Sequence, residues 1–235
     1  MPNTENQETK KCDFVHLHVH SDYSLLDGAS KIGKLISKAK ELGMTSLALT
    51  DHGNMFGALR FEQQCHKEGI NPIVGCEFYV AGGSRKERKG TEEGNKYYHL
   101  ILLAKDEQGY KNLCYLTSLS YTEGMYYKPR IDEELIRKYS SGLICLTACI
   151  AGQLPQLLLN NKTEEAEKMV KTYSEIFGKD HFYIELQKHG IPDEDRVIPM
   201  LIKIARKFDI PMVSTNDIHY AEKDDAEAQD ILVCI

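Results

Sequence analysis

The chain's pattern predicts an α/β fold, a sheet of parallel strands covered by helices. Short apolar runs of strand length alternate with segments of helical periodicity, and side chains able to bind metal fall at the C-terminal ends of the strands. Seven strands read in this way, with no repeat of 20 to 50 residues, favour a closed or nearly closed parallel β/α barrel over a solenoid. An open doubly wound sheet is the other arrangement the alternation allows.

The stretch Phe14 to Gly28, FVHLHVHSDYSLLDG, is built like a strand that then turns into a helix, and alternation sets His16, His18 and His20 on one face and Leu17 and Val19 on the other. Each of those imidazoles needs a partner, and imidazole is the commonest metal ligand. Ser30 then caps a helix whose apolar positions Ile32, Leu35, Ile36, Ala39 and Leu42 keep helical spacing until Gly43. Residues 46–54 read as a buried strand opening onto a loop, 55–68 as a helix closed by Gly69, and 70–80 and 97–104 as strands. Asp106 caps a helix to about Tyr121, Asp132 starts a shorter one before Gly142, and 142–149 is the fifth strand. Thr163 caps a helix to about Phe177, 180–187 is a strand, and a helix over Val197 to Phe208, its start blurred by Pro199, leads into the last strand, 210–220. The Gly- and charge-rich stretch 82–96 reads as a mobile surface loop, and 221–235 as a helix cut off in mid-pattern, which suggests a longer native chain.

At 235 residues, 42% hydrophobic and 27% charged, the chain has material for one sizeable core, expected over residues 13–235 behind a frayed polar tail, 1–12. A formal net charge of -6 argues against a stand-alone, high-affinity nucleic-acid binder. The seven cysteines are odd in number and include no C-x-x-C pair, so neither a disulfide framework nor a zinc ribbon is indicated, and a reducing cytoplasm fits. No run approaches the ~20 apolar residues of a membrane span, so no membrane association is expected.

Chemistry concentrates where strands end. His18, His20 and Asp27 follow the first strand, Asp51 and His52 the second; Glu77 and His99 lie on the third and fourth, Cys149 ends the fifth, and Asp217 and His219 end the seventh. Singly, Asp51-His52 is a turn, Glu77 an edge charge and Cys149 a small buried apolar group. Together they would leave many buried polar atoms unsatisfied unless a metal held them, and barrels gather such residues at one mouth. No G-x-S-x-G or Walker motif offers a competing site.

These motifs, H-L-H-V-H-S-x-Y-S-x-L-D-G, T-D-H-G-N at 50–54, G-C-E at 75–77, His99, the Cys149 region and T-N-D-x-H at 215–219, resemble the PHP (polymerase and histidinol phosphatase) family. The longer stretches NMFGALRF, YYKPRID and STNDIHY look like the version at the N-terminus of bacterial replicative polymerase alpha subunits. The resemblance implies a distorted (βα)7 barrel with nine metal ligands: His18, His20, Asp27, His52, Glu77, His99, Cys149, Asp217 and His219. It groups them as His18, His20, Glu77 and Asp217 around one ion, Glu77, His99 and Cys149 around a second, and Asp27, His52 and His219 around a third, with Glu77 as bridge. His16 stands where many relatives carry Asp and is left outside the ligand set. Such mixed donors suit up to three Zn, Mn or Fe ions better than Mg.

The implied activity is 3′-to-5′ proofreading hydrolysis of DNA 3′ ends, with His18, His20, Glu77 and Asp217 carrying catalysis. The implied partners are the remainder of a polymerase chain and its replisome subunits. A free-standing phosphatase of small molecules and a non-catalytic, metal-stabilised scaffold are the alternatives. Arg85, Lys86, Arg88 and Lys89 on the loop, with Lys128 and Arg130, are the cations expected to meet DNA.

Overall fold

A computed structural model describes residues 12–88 and 97–235. Its strands are β1 (Ser46–Leu49), β2 (Asn71–Val80), β3 (Tyr98–Ala104), β4 (Met125–Tyr126), β5 (Lys128–Ile131), β6 (Leu143–Leu146), β7 (Phe182–Leu186) and β8 (Met212–Ser214). The helices are α1 (Ile32–Glu41), α2 (Ala58–Glu68), α3 (Glu107–Thr122), α4 (Glu133–Lys138), α5 (Gln153–Leu159), α6 (Thr163–Phe177), α7 (Pro192–Phe208) and α8 (Ala226–Val233).

One curled sheet runs β4-β5-β2-β3-β6-β7-β8, and β1 pairs with β2 beside β5. The α/β class is as the sequence predicts, but the all-parallel order is not. β3 is antiparallel to both β2 and β6, while β1–β2, β2–β5, β6–β7 and β7–β8 are parallel. No crossover helix separates β2 from β3 among the described residues, and a direct return of that kind reaches an antiparallel neighbour.

Residues 14–20 are extended but form no regular strand. The His16 carbonyl accepts from Ala48 N at 2.9 Å and the Val19 carbonyl from Thr50 N at 2.8 Å, while on the other edge His20 N donates to Ile218 O at 2.7 Å and Ile218 N to His18 O at 3.1 Å. The Thr50 hydroxyl takes the Val19 N–H at 2.8 Å, so a side chain stands in for a ladder partner. This segment therefore bridges the two ends of the curled sheet, from β1 to the loop after β8.

Alternation sorts the two faces. Cys76, Phe78 and Val80 of β2, Leu100 and Leu102 of β3, Cys145 of β6 and Phe182 and Ile184 of β7 point outward and pack under the helices with Leu116, Tyr173 and Leu201. The opposite register holds Ile101, Leu103, Leu146 and Ala48 in a small interior cluster. Glu77 and His99 share that inward register, and Glu77 lies opposite Ile101. A second layer packs Ile32 and Ile36 of α1 and Phe61 of α2 on Leu47 and Leu49 of β1.

Asp106 and Asp132 cap α3 and α4 as expected, their side chains accepting from Gly109 N and Leu135 N. Ser30 and Thr163 do not cap: Lys31 and Lys162 hold those positions, and the Ser30 hydroxyl instead accepts from Ala221 N at 2.9 Å. Helix α7 begins earlier than its apolar pattern, because Pro192 fits the first turn, where its missing N–H is not needed. The short β4, β5 and α5 were not anticipated. All seven cysteines are free, and no helix among the described residues is long and apolar enough to cross a membrane.

Candidate metal centre

The backbone delivers side chains from six places to one end of the curled sheet. Gly28 lets the turn carrying Asp27 close, since a Cβ there would meet the Ser21 carbonyl oxygen at 1.8 Å. Gly53, at φ +61, turns the chain directly after His52. Ala148 and Asp217 take positive φ of 62° and 46° without being glycine, and local strain of this kind concentrates at functional sites.

All nine residues named as metal ligands meet at this end, and Glu77, 1% exposed, lies at their centre. Its Oε1 is 2.9 Å from His99 Nδ1 and 3.3 Å from His18 Nε2; its Oε2 is 2.5 Å from His52 Nδ1 and 3.5 Å from His20 Nε2. Asp217 Oδ1 lies 3.1 Å from His18 Nε2, 3.3 Å from His20 Nε2 and 3.6 Å from His219 Nδ1. Asp27 Oδ2 is 2.9 Å from His52 Nε2 and 3.9 Å from His219 Nε2, and Cys149 Sγ is 3.6 Å from His99 Nδ1. Three sets of donor atoms lie within 4.8 Å of one another: His18-His20-Asp217, His52-Glu77-His99 and His20-His52-His219. His52 and His20 thus sit between groups that the resemblance kept apart. His16 stays half-buried beside the Phe14 ring, away from these sets.

The donor set fits cations by a direct observation. His18 Nε2, His20 Nε2, His52 Nδ1, Glu77 Oε2, Asp27 Oδ1 and Asp217 Oδ1 are buried and make no hydrogen bond, although all belong to this one cluster. Orphaned atoms so concentrated need an explanation, and a bound ion provides it. Burial opposes charge on His18, but Asp217, Glu185 and Glu77 outweigh it and hold its pKa well above the ordinary value. Burial likewise opposes charge on His52, yet Glu77 and Asp27 push it up to about 10. Burial and the neighbouring His52 take His20 down to about 3, leaving a neutral ring ready to ligate. Against burial, the imidazoles of His99, His52 and His18 hold Glu77 well below the usual carboxylate range, and His18 does the same for Asp217. Burial, then Glu77 and Asp217, raises the Cys149 thiol, so its proton must be displaced on ligation.

Glu185, Gln187 and Ser24 escaped the sequence reading, and Asp51, expected among the metal-capable groups, has a supporting place instead. Glu185 Oε1 is 2.8 Å from His18 Nδ1 and accepts from Gln187 Nε2 at 3.0 Å and from the Thr215 hydroxyl, which aims His18 Nε2 at the cluster. Asp51 accepts from Ser21 N at 2.7 Å and Ser24 Oγ at 2.8 Å, and Ser24 Oγ lies 3.0 Å from His20 Nδ1, which orients the second ring. The available signal for Glu185 was an acid in the inward register of β7, beside Ile184, which faces the helices.

The expected DNA-facing cations need correction. Arg85, 4% exposed, is bound to Glu123 at 2.6 Å, Asp132 at 3.0 Å and Glu134 at 3.0 Å. Arg130, 2% exposed, donates to the carbonyls of Gly124, Arg85 and Glu87. Both guanidinium groups are spent inside the fold, among carboxylates and carbonyls that are mostly distant in sequence. Lys86 and Arg88 are exposed, and Lys89 lies outside the described residues. Of the five that are described, Lys128 lines a cleft wall shared with Asp27 and His52.

The curled α/β sheet gathers inward His, Asp, Glu and Cys side chains at one end, a donor set of the kind that can hold divalent metal ions. The PHP domain profile matches residues 16–189, and the chain belongs to the PHP domain family. It is similar to DNA polymerase III subunit alpha of Treponema pallidum (strain Nichols), 56% identical over 225 residues, and to that of Borreliella burgdorferi, 54% identical over 222 residues. These alignments cover 96% and 94% of this chain but 19% of each relative, so the chain spans about a fifth of their length. Among solved structures it resembles a two-domain protein containing a predicted PHP-like metal-dependent phosphoesterase from Bacteroides vulgatus, with TM-score 0.56 and 16% identity over 97% of this chain and 61% of that one. It also resembles an amidohydrolase from Chromobacterium violaceum, with TM-score 0.57 and 14% identity over 93% of this chain and 96% of that one. At such identities these two likenesses concern the fold.

Proposed function

We propose that the chain is the metal-dependent phosphodiesterase domain of a bacterial replicative DNA polymerase and removes nucleotides from DNA 3′ ends in proofreading. The observation that carries this reading is the set of unsatisfied donor atoms around Glu77, at the open end of the sheet. On this reading the curled sheet and the bridging segment 14–20 are a distorted (βα)7 barrel. One ion would be held by His18, His20, Glu77 and Asp217, a second by Glu77, His99 and Cys149, and a third by Asp27, His52 and His219. Divalent Zn, Mn or Fe would supply water activation near neutral pH and neutralise charge on the phosphate.

The chain's own groups do the rest. Glu185 and Ser24 fix the rings of His18 and His20, the buried Glu77 and half-buried Asp217 carboxylates stay ionised, and Lys128 offers a positive charge to the phosphate backbone. Water is consumed as the bond between phosphorus and the 3′ oxygen breaks, and a mononucleotide leaves. The remainder of the polymerase, with its replisome subunits in the cytoplasm, would present the 3′ end. Similarity to polymerase subunits about five times as long weighs against a free-standing phosphatase of small molecules.

Elemental analysis beside a nuclease assay on a 3′-mismatched primer tests the proposal. Up to three ions per chain and hydrolysis abolished by Asp217→Asn are expected. Full metal content without any turnover would leave the scaffold role in its place.

A further inference from the structure

The metal end is flanked by two clefts of different chemistry that share Asp27. One, of 540 Å³, is lined by polar groups including His189, Asn216, Tyr220 and Gln229. The other, of 360 Å³, is walled by Tyr23, Leu26, Phe56, Tyr121 and Met125, with Lys128 among its lining residues and His52 joining it to the metal cluster. Phe56 is 63% exposed, Leu26 55% and Met125 44%, so the apolar wall is open to solvent. Lys128 Nζ sits 5.3 Å from the centre of the Tyr79 ring, which holds this cation where the cleft meets the proposed metal ligands.

We infer that this second cleft binds the nucleobase of the 3′-terminal nucleotide, a subsite that rests on the phosphodiesterase reading and specifies its substrate. A phosphate lying over the cluster must place its nucleoside on one side or the other. An apolar and aromatic wall with Lys128 at its edge suits a planar base attached to a phosphate; the polar cleft suits the sugar and phosphates of the upstream strand. The volume lies within the usual range for small-ligand sites, about 300–1,000 Å³. Stacking on apolar and aromatic faces tolerates every base, as hydrogen-bond readout does not, and a site that removes any mispaired nucleotide needs that tolerance.

The experiment compares thymidine 5′-monophosphate with 2-deoxyribose 5-phosphate, which lacks only the base, by calorimetric titration of the Mn-loaded chain. The nucleotide should bind at least about tenfold more tightly, and Phe56→Ala or Met125→Ala should erase most of that margin while leaving the sugar phosphate unchanged. Both side chains are exposed, so neither substitution removes core packing. A second arm measures hydrolysis of thymidine 5′-(p-nitrophenyl phosphate). If wild type shows the base-dependent margin but does not cleave this ester, the phosphodiesterase reading fails and the base site stands. Turnover of the ester without any base-dependent margin, or variants that weaken both ligands alike, would overturn the base site and leave the hydrolytic reading intact.

Discussion

Glu77 gathers four imidazoles on its two oxygens, at 2.5 to 3.5 Å, whereas Cys149 approaches the cluster only through His99 at 3.6 Å and Glu77 at 4.0 Å. Glu77→Gln keeps the shape of the side chain but removes the one anion that the proposed assignment shares between two ions. It should cost two ions by elemental analysis, and Cys149→Ser at most one. Equal losses would sink the bridging role. The gathering of polar side chains at one end was legible because they kept recurring where apolar runs ended, which burial makes costly without a reason, while the set of nine proposed ligands is what the family resemblance implies. Glu185 was not, since one acid in a strand reads as an edge charge until its contact with His18, 167 positions away, is known. Arg85 and Arg130 were misread for the same cause: a cation-rich stretch looks solvated, and only the fold brings Asp132 and the Gly124 carbonyl around them.

Between elements, the loop after β8 that carries Asp217 is held to the start of α7 by one imidazole. His189 Nδ1 lies 2.7 Å from Glu194 Oε1 and its Nε2 2.9 Å from the Asn216 carbonyl. Both partners accept, so both ring nitrogens donate and the imidazolium is the form that satisfies them. Burial opposes that charge, but Glu194 and the Asn216 carbonyl outweigh it, and the pKa is raised. A raised folded value contributes stability that is fully present below the unfolded pKa of about 6.5 and is lost as pH rises through the folded value. The gap in melting temperature between wild type and His189→Gln, measured in chelator, should therefore be widest below about pH 6 and close in alkaline buffer. A gap that widened with pH would contradict the clamp. Element order was largely readable from periodicity, and Asp106 and Asp132 gave true caps. Strand direction was not readable: β3 pairs antiparallel through a connection whose sequence, GGSRKERKGTEEGNK, marks only a break. The first strand's irregularity was equally hidden, because it depends on the Thr50 hydroxyl entering the ladder.

For the molecule as a whole, the metal end ties the bridging segment 14–20, β2, β3 and the loops after β6 and β8 together. Ions held there, as proposed, would bind the folded chain selectively, so chelation should lower the melting temperature, and an unchanged curve with metal loss verified would mark the centre as peripheral to the fold. Charge sets the second expectation at this scale. The chain carries -6 overall, and two of its six candidate DNA-facing cations, Arg85 and Arg130, are committed inside the fold. Affinity for DNA comes mainly from phosphate neutralisation, with a salt slope near −0.7 per contact on single strands. Lys128 at the cleft, with Lys86 or Arg88 reached by a longer strand, allows few such contacts. The isolated chain should hydrolyse 3′ ends weakly, and a plot of log kcat/KM against log salt at fixed metal should have a slope no steeper than about −2. Lys128→Gln should flatten it by about 0.7, because one neutralised phosphate is lost. Joining the rest of the polymerase should both raise the rate and steepen the slope, since the duplex is then gripped elsewhere and the 3′ end is delivered at high local concentration. A slope of about −5 for the isolated chain would demand a basic surface that its charge distribution does not supply.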